Sequence, residues 1–129
     1  NLHPSLFPGG FYVGPNELGL LERLLVSARR TTDPEEADFF FVPTLGQAAK
    51  QLSGHNFGHE AGVSDHGMWG YWEAVQLYIR KTWPFWDRKN GMDHMFVAMG
   101  DHGLCESPRG KGYPPALENA VVLSNWGLT

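Results

Sequence analysis

The sequence contains a single cysteine, Cys105, among 129 residues. A disulfide within the chain is therefore excluded, because a bridge needs two thiols. The thiol is either a free, partly buried side chain that packs like a small apolar group, or it pairs with a cysteine outside this sequence. A catalytic thiol is the least favoured interpretation, because only His102 and Arg109 offer basic groups nearby.

Basic blocks and long apolar runs are also absent. Lys and Arg number 10 against 14 Asp and Glu, and the net charge is −4. The chain therefore lacks the electrostatic footprint of a protein that binds a nucleic-acid backbone. No apolar run approaches the roughly 18 residues that predict a membrane span, and the first residues lack the order of a signal peptide. The protein is cytosolic or its targeting segment lies outside the sequence, and Asn1 in place of an initiator Met favours the second interpretation.

Glycine loops that bind phosphate are absent as well. GGFYVG, which begins at Gly9, has neither the spacing of a P-loop nor that of a dinucleotide-binding loop, and it follows no predicted strand. A nucleoside diphosphate, if the protein uses one, must bind elsewhere. The residues that are abundant are apolar: 42% of the chain is hydrophobic and 13% is aromatic, which is enough for the core of one domain.

The N-terminal half predicts an irregular segment and then a helix. Residues 1–15 are rich in Pro and Gly. Leucines then recur at helical spacing, which predicts a helix from about Asn16 to Arg29. Arg29 and Arg30 would lie in its last turn and suit the negative end of the helix dipole.

The segment TTDPEEADFFFVP predicts a turn and a strand. Asp33 suits an N-cap, Pro34 the first helical position and Glu36 a capping box, which together predict one tight helical turn. The continuous apolar run 39–42 predicts a strand covered on both faces, and therefore a parallel sheet with helices on each side. Pro43 marks the carboxyl end of that strand, where α/β folds place ligands.

The C-terminal half continues the alternation of helices and strands. The predicted elements are a short helix over 46–52, a Gly- and His-rich loop over 53–67, a helix over 68–82, strands over 94–99 and 120–123, and a long loop between those strands. The fold class is therefore α/β: a Rossmann-like parallel sheet flanked by helices. Residues 16–129 form one incomplete lobe, because neither an opening strand nor a closing helix is predicted.

Two Asp-His pairs flank the second predicted strand. Asp93 and His94 precede it, where a buried Asp can fix the tautomer of a general base. The alternative is structural, with Asp93 capping a turn and His94 satisfied inside the core. Asp101 and His102 follow the strand between glycines, where a carboxylate can bind sugar hydroxyls or act as a base, although an ordinary Gly-Asp turn is the alternative. Asp101 and His102 are the best catalytic candidates.

The Gly- and His-rich loop raises the question of a metal. The candidate ligands are His55, His59, His66 and Asp65, since histidines four residues apart, as the first two are, can converge on one ion. The surrounding glycines argue against a helix there, so we expect a polar loop and no metal site.

The tryptophans near the second predicted helix have two interpretations. Trp72 and Trp83 lie at helical spacing and are assigned to the core. Trp86 lies in the polar segment WDRKNG, which predicts a turn, and we expect it to be free to stack on a sugar.

Three segments resemble the exostosin family (glycosyltransferase family 47), especially its plant and green-algal branches. They are ELGLLERLLVSARRTTDPEEADFFFVPTLG, WPFWDRKNGMDHMFVAMGDHGLC and LSNWG, and they span most of the chain from Glu17 to Gly127. The chain departs from the family at Met92, where Arg is common. The histidine-rich loop matches no family pattern, which leaves the acceptor specificity open.

The resemblance implies a GT-B fold, in which two Rossmann-like lobes enclose the active site. Such enzymes are inverting, reside in the Golgi lumen on one N-terminal membrane helix, and build cell-wall polysaccharides or glycoprotein glycans from nucleotide sugars. This chain resembles only the N-terminal, acceptor-side lobe. The nucleotide sugar is expected to bind the missing C-terminal lobe, so no cofactor is expected here. The membrane anchor is also missing.

Three hypotheses follow for the function. In the first, the chain is part of an inverting glycosyltransferase, inactive alone. Its catalytic candidates are Asp101 and His102, and its expected acceptor-binding residues are Asp93, His94, Trp86, His55 and His59. The partners are then a glycan acceptor and the missing lobe, and not a nucleic acid. The second hypothesis is a carbohydrate-binding module that uses Trp86 and the histidine-rich loop, and the third is a metal hydrolase on that loop.

Overall fold

The structure is a computed structural model that describes residues 15–46, 68–99 and 114–124. The elements, in chain order, are α1 (Pro15–Leu25), β1 (Phe40–Phe41), α2 (Met68–Thr82), α3 (Phe85–Arg88), β2 (His94–Ala98), a 3-10 helix (Pro115–Leu117) and β3 (Val121–Ser124). The strands form one sheet in the order β1-β2-β3, and both pairings are parallel. The predicted parallel α/β fold is confirmed. Within the described ranges, no helix combines the length and apolar character that crossing a membrane requires.

Strand β2 is the central and most buried strand. Its side chains alternate, so that Phe96 and Ala98 join the core cluster on the face covered by α2 and α3. On the other face, Met95 lines a groove together with Leu21 and Leu24 of α1. Helices therefore lie on both faces of the sheet, as the continuous apolar runs predicted.

The prediction of a doubly covered strand was wrong for β1. This strand has two residues at one end of the described sheet, and the side chain of Phe39 just before it is 56% exposed. The residues of β2 have the burial that was expected of residues 39–42.

Helix α1 ends four residues before the predicted end. The last helical residue is Leu25, and the basic residue of the last turn is Arg23 rather than Arg29 or Arg30. The hydroxyl of Ser27 accepts a hydrogen bond from the Arg29 N–H at 3.1 Å. A serine that captures a nearby backbone donor competes with the helical hydrogen-bond pattern, which explains the early end.

The segment that follows is a turn stabilised by side chains. Asp33 Oδ1 accepts the Glu35 N–H at 2.9 Å, and the Asp33 carbonyl accepts the Glu36 N–H at 3.3 Å. The Glu36 carboxylate accepts the Thr31 hydroxyl at 3.4 Å instead of closing the predicted capping box. The predicted tight turn is therefore present, but it is not helical.

Helix α2 has the predicted bounds, and its apolar face supplies the core. Trp72 is almost completely buried and meets the Phe96 ring edge-on at 6.1 Å. Ile79 is buried two turns later, and Val75 packs against the same cluster. Trp83, which was assigned to the core, is 47% exposed because the helix ends at Thr82 and its ring packs on the exposed Tyr78.

The segment predicted as a polar turn contains the one-turn helix α3. Lys89 is its C-cap, and Asn90 follows in the left-handed conformation with φ 51°. The Gly91 N–H then reaches back to the Trp86 carbonyl at 2.9 Å. This arrangement is a Schellman motif, which satisfies a helix carbonyl that would otherwise lack a partner.

We expect opposite effects on stability from alanine at two glycines. Gly91 has φ 81°, and a Cβ there would lie 2.6 Å from Cζ2 of Trp86. Gly91→Ala should therefore lower the free energy of unfolding by at least about 1–2 kcal/mol. A Cβ at Gly19, inside α1, would have no neighbour within 4 Å, so Gly19→Ala should raise the free energy of unfolding by about 0.5–1 kcal/mol. Urea unfolding of both variants measures these changes. Equal changes in the free energy of unfolding for the two variants would contradict the prediction.

Candidate functional site

The carboxyl ends of the three parallel strands meet at one edge of the sheet. Ala98 of β2 pairs with Ser124 of β3, and the chain leaves β1 through Thr44 and Leu45. Ligands of open α/β sheets bind at this edge. Asp101 and His102 come shortly after β2 in the sequence, but they lie outside the described residues, so their assignment stays a prediction.

The chain after β1 is held in a bent conformation. The Thr44 N–H donates to the Val42 carbonyl at 2.9 Å, and Leu45 has φ 47°. The left-handed conformation costs a leucine about 1–2 kcal/mol. The hydroxyl of Tyr71, in the first turns of α2, donates to the Thr44 carbonyl and fixes this bend. Strained backbone of this kind occurs at active sites and ligand clamps.

A buried carboxylate belongs to the same edge. Glu17, in the first turn of α1, is 3% exposed. Burial raises the pKa of Tyr71 to about 12, and the negative charge of Glu17 adds to the increase. The two groups are therefore close enough to interact through space. The positive end of the α1 dipole favours a carboxylate at this position.

The edge also contains a buried polar group that has no partner among the described residues. The Thr44 hydroxyl oxygen is buried and makes no hydrogen bond within the described part of the chain. The indole nitrogen of Trp72, which follows Tyr71 on α2, is also buried and makes no hydrogen bond within the described residues. Buried polar groups usually have partners, so unsatisfied ones call for a functional or solvent-based explanation.

Asp93 and His94 lie at the opposite, amino edge of the sheet. Both are 2% exposed, and His94 Nδ1 is 2.8 Å from Asp93 Oδ1. The Lys89 amine is 3.6 Å from Asp93 Oδ2, which is an ion pair too long for a good hydrogen bond. The His94 ring stacks on Phe40 at 5.0 Å. This geometry favours a structural role for Asp93 and His94. The His94 ring is enclosed, and it lies at the edge of the sheet opposite to the carboxyl ends of the strands, where ligands bind.

The buried His94 should make stability depend on pH. Burial lowers the pKa of His94, although the Asp93 carboxylate partly opposes this. The unfolded chain then takes up the proton more readily than the folded one, so stability should fall as the pH drops below the ordinary value of about 6.5. His94→Gln removes the titrating group and should flatten the difference in urea midpoint between about pH 7.5 and 5.5. An identical pH slope in both proteins would contradict this.

Trp86 is a core residue, which corrects the expectation that it is free to stack on a sugar. It is 3% exposed, and its ring lies 4.7 Å from the His94 ring and 6.1 Å from the Phe96 ring. Neither face of the indole is open to a glycan in this arrangement. The physical reason is the Schellman turn, which folds Gly91 against the indole.

The predicted site residues are therefore only partly brought together. Trp86, Asp93 and His94 meet one another, but in the core. His55 and His59 lie outside the described residues, and their acceptor-binding role stays a prediction. The three described ranges contain no group of three or more His, Cys, Asp or Glu that could hold a metal ion.

Glu17, Thr44 and Tyr71 were not identified from the sequence. One signal was available: Glu17 lies four residues before Leu21, on the apolar stripe of α1, where an acidic side chain is unexpected. Tyr71 and Thr44 gave no comparable signal, because their contact depends on how α2 meets the end of β1.

Comparison with known proteins gives a consistent group of relatives. The profile of the exostosin GT47 domain matches residues 16–125. A probable beta-1,4-xylosyltransferase of Arabidopsis thaliana is 33% identical over 116 residues, which are 86% of this chain and 26% of that protein. A probable glucuronoxylan glucuronosyltransferase of Arabidopsis thaliana is 32% identical over 119 residues, covering 87% of this chain and 24% of that protein.

A third relative comes from a grass. A probable glucuronosyltransferase of Oryza sativa subsp. japonica is 35% identical over 109 residues, which are 81% of this chain and 24% of that protein. The chain thus spans about a quarter of the length of these relatives. No solved structure matches it significantly.

Proposed function

The chain belongs to the exostosin GT47 family, whose profile matches residues 16–125, and on that basis we propose that it is the acceptor-side lobe of an inverting glycosyltransferase of GT-B fold. The observation that carries the proposal is the parallel register, which brings the ends of three strands together at one edge. The buried Glu17 and the partly buried Thr44 and Tyr71 lie near that edge.

The substrates are a nucleotide sugar and a glycan of the xylan type. The relatives are named as xylosyltransferase and glucuronosyltransferase enzymes, so xylose and glucuronic acid are the sugars to test. The donor binds the second lobe, outside this chain, which fits the absence of a phosphate-binding glycine loop in the sequence. The acceptor binds the edge formed by the ends of β1, β2 and β3.

The reaction needs one base on the acceptor side. A side chain takes the proton of an acceptor hydroxyl while its oxygen attacks the anomeric carbon. The new carbon–oxygen bond forms as the bond to the nucleoside diphosphate breaks, and the configuration inverts. Asp101 and His102 are the candidate bases, because they come shortly after β2 in the sequence and the carboxyl end of β2 lies at the proposed ligand edge.

The setting is the lumen of the Golgi, with attachment to the membrane through a helix outside this chain. The support is the family and the kind of polymer named for the relatives. A carbohydrate-binding module is not supported, because the matching family and the relatives are glycosyltransferases and because its stacking residue, Trp86, is buried.

A transfer assay on the whole parent polypeptide tests the proposal. Xylo-oligosaccharides serve as acceptors, and UDP-xylose and UDP-glucuronic acid as donors. We expect transfer by the parent polypeptide, and none by the 129-residue chain alone. Transfer by this chain alone, or no transfer by the parent polypeptide with any nucleotide sugar, would overturn the proposal.

Two substitutions in the parent polypeptide locate the base. If Asp101 is the base, Asp101→Asn should lower kcat by about 10²–10⁴-fold. If His102 is the base, His102→Gln should have that effect. Asp87→Asn is the matched control, because Asp87 is an exposed residue that pairs with Arg80 on α2. Unchanged kcat in both test variants would remove these residues as candidates without touching the proposed reaction.

A further inference from the structure

The bend after β1 consists of two adjoining backbone features. The Thr44 N–H donates to the Val42 carbonyl at 2.9 Å, which closes a γ-turn centred on Pro43. Proline fixes φ at about −65°, so this turn is of the common inverse type. Leu45 follows with φ 47°, a left-handed conformation that leucine disfavours. Such a conformation persists only where the surrounding structure holds it, so the bend depends on contacts from other elements.

Helix α2 supplies such a contact through Tyr71. The Tyr71 hydroxyl donates to the Thr44 carbonyl, which lies 27 residues earlier in the chain. The Tyr71 side chain packs against the core cluster, and the centre of its ring lies 5.2 Å from that of Trp72. Trp72 is 1% exposed, so it cannot move without opening the close-packed core. The phenol therefore holds the bend from a fixed position on the helix.

The surroundings of Tyr71 also preserve its hydroxyl as a donor. Burial raises the pKa of Tyr71 to about 12, and the negative charge of Glu17 adds to the increase. A phenolate has no proton to donate to a carbonyl, so the hydrogen bond requires the neutral form. The contact between Tyr71 and Thr44 is therefore maintained throughout the neutral pH range.

We propose that Tyr71 is a positioning residue for the acceptor and acts through the backbone of residues 43–45. This role rests on the proposed function, which places the acceptor at the carboxyl edge of the sheet. The bend belongs to that edge, because it directly follows the pairing of β1 with β2. Without the hydrogen bond from Tyr71, Leu45 relaxes to an ordinary conformation in a fraction of the molecules. The apparent affinity for the acceptor then falls in proportion to the fraction that keeps the bend.

The kinetics of Tyr71→Phe in the parent polypeptide test the proposal. The acceptor KM should rise about three- to tenfold, which corresponds to one hydrogen bond of ordinary strength. Saturating acceptor selects the bent molecules, so kcat should stay within about twofold. The KM for the nucleotide sugar should not change, because the donor is proposed to bind the other lobe. An unchanged acceptor KM would overturn the proposal.

Two further variants separate positioning from a general loss of stability. Gly91→Ala is also expected to destabilise the protein, but Gly91 lies after α3 and against Trp86, away from the bend. Tyr78→Phe removes an exposed hydroxyl from the same helix as Tyr71. Neither variant should change the acceptor KM. A rise in Gly91→Ala as large as that in Tyr71→Phe would show an effect of stability alone and would overturn the proposal.

A titration of xylo-oligosaccharide into the parent polypeptide, without a donor, tests positioning independently of the reaction. The Kd of Tyr71→Phe should exceed that of the unmodified protein by the same factor of about three to ten, whether or not transfer is detected. Absence of transfer would overturn the proposed reaction, and the ratio of the two Kd values would still decide the role of Tyr71. Equal Kd values, or no binding by either protein, would overturn that role.

Discussion

Replacing Trp86 by Ala is expected to lower the free energy of unfolding by about 3–5 kcal/mol. The indole is enclosed by the His94 ring, the Phe96 ring and the backbone at Gly91. Removing it leaves a cavity that these neighbours cannot fill, because each is held by its own strand or turn. Urea unfolding followed by far-UV circular dichroism measures the loss.

Trp83→Ala is the matched control for Trp86→Ala. The two residues are close in sequence, but Trp83 is 47% exposed and its main ring contact is Tyr78. Its removal should cost less than about 1 kcal/mol. A Trp86→Ala protein that kept its stability but lost affinity for a glycan would restore the sugar-stacking interpretation.

Replacing Tyr71 by Phe is expected to destabilise the protein at neutral pH, but not near pH 12. At neutral pH the variant should be less stable by about 1–2 kcal/mol, because the Thr44 carbonyl loses its donor. Burial and Glu17 raise the pKa of Tyr71 from 10.0 to about 12. The stability that comes from keeping this hydroxyl neutral is fully present below pH 10 and is lost as the pH rises toward 12.

In the unmodified protein, ionisation of Tyr71 at alkaline pH lowers the free energy of unfolding by about 2–3 kcal/mol. The variant has no hydroxyl to ionise at this position and keeps that stability. Tyr71→Phe should therefore match or exceed the unmodified protein near pH 12. Urea unfolding at pH 8 and near pH 12 measures the two differences. Tyr78→Phe removes an exposed hydroxyl from the same helix and is the control. A constant deficit for Tyr71→Phe at both pH values would show that the hydroxyl is not held neutral by its surroundings.

The regular elements could be predicted because their signals are local. Helix α2 has the predicted bounds, since its apolar face and Pro84 both lie in the sequence that forms it. Strand β2 ends one residue before the predicted range, and strand β3 is shifted by one residue at both ends. Helix α1 was predicted too long because the hydrogen bond from the Arg29 backbone N–H to the Ser27 hydroxyl was not anticipated.

The contacts that place Trp86 and Tyr71 could not be predicted in the same way. Trp86 was placed in a turn because Asn90 and Gly91 are typical turn residues, and the same pair also forms a helix C-cap. The approach of Tyr71 to Thr44 depends on the docking of α2 against the end of β1, which no sequence spacing fixes. The cluster of Glu17, Thr44 and Tyr71 therefore emerges only from the assembled sheet.

The parallel pairing of β1 with β2 affects how the chain folds during its synthesis on the ribosome. Phe40 pairs with His94, so all of α2 and α3 is synthesised between the two partners. Closing such a long loop is slow compared with forming the local unit of α2, α3 and β2. The three adjacent phenylalanines at 39–41 therefore leave the exit tunnel well before their partner strand exists. This stretch is therefore an apolar part of the nascent chain that a chaperone has reason to shield.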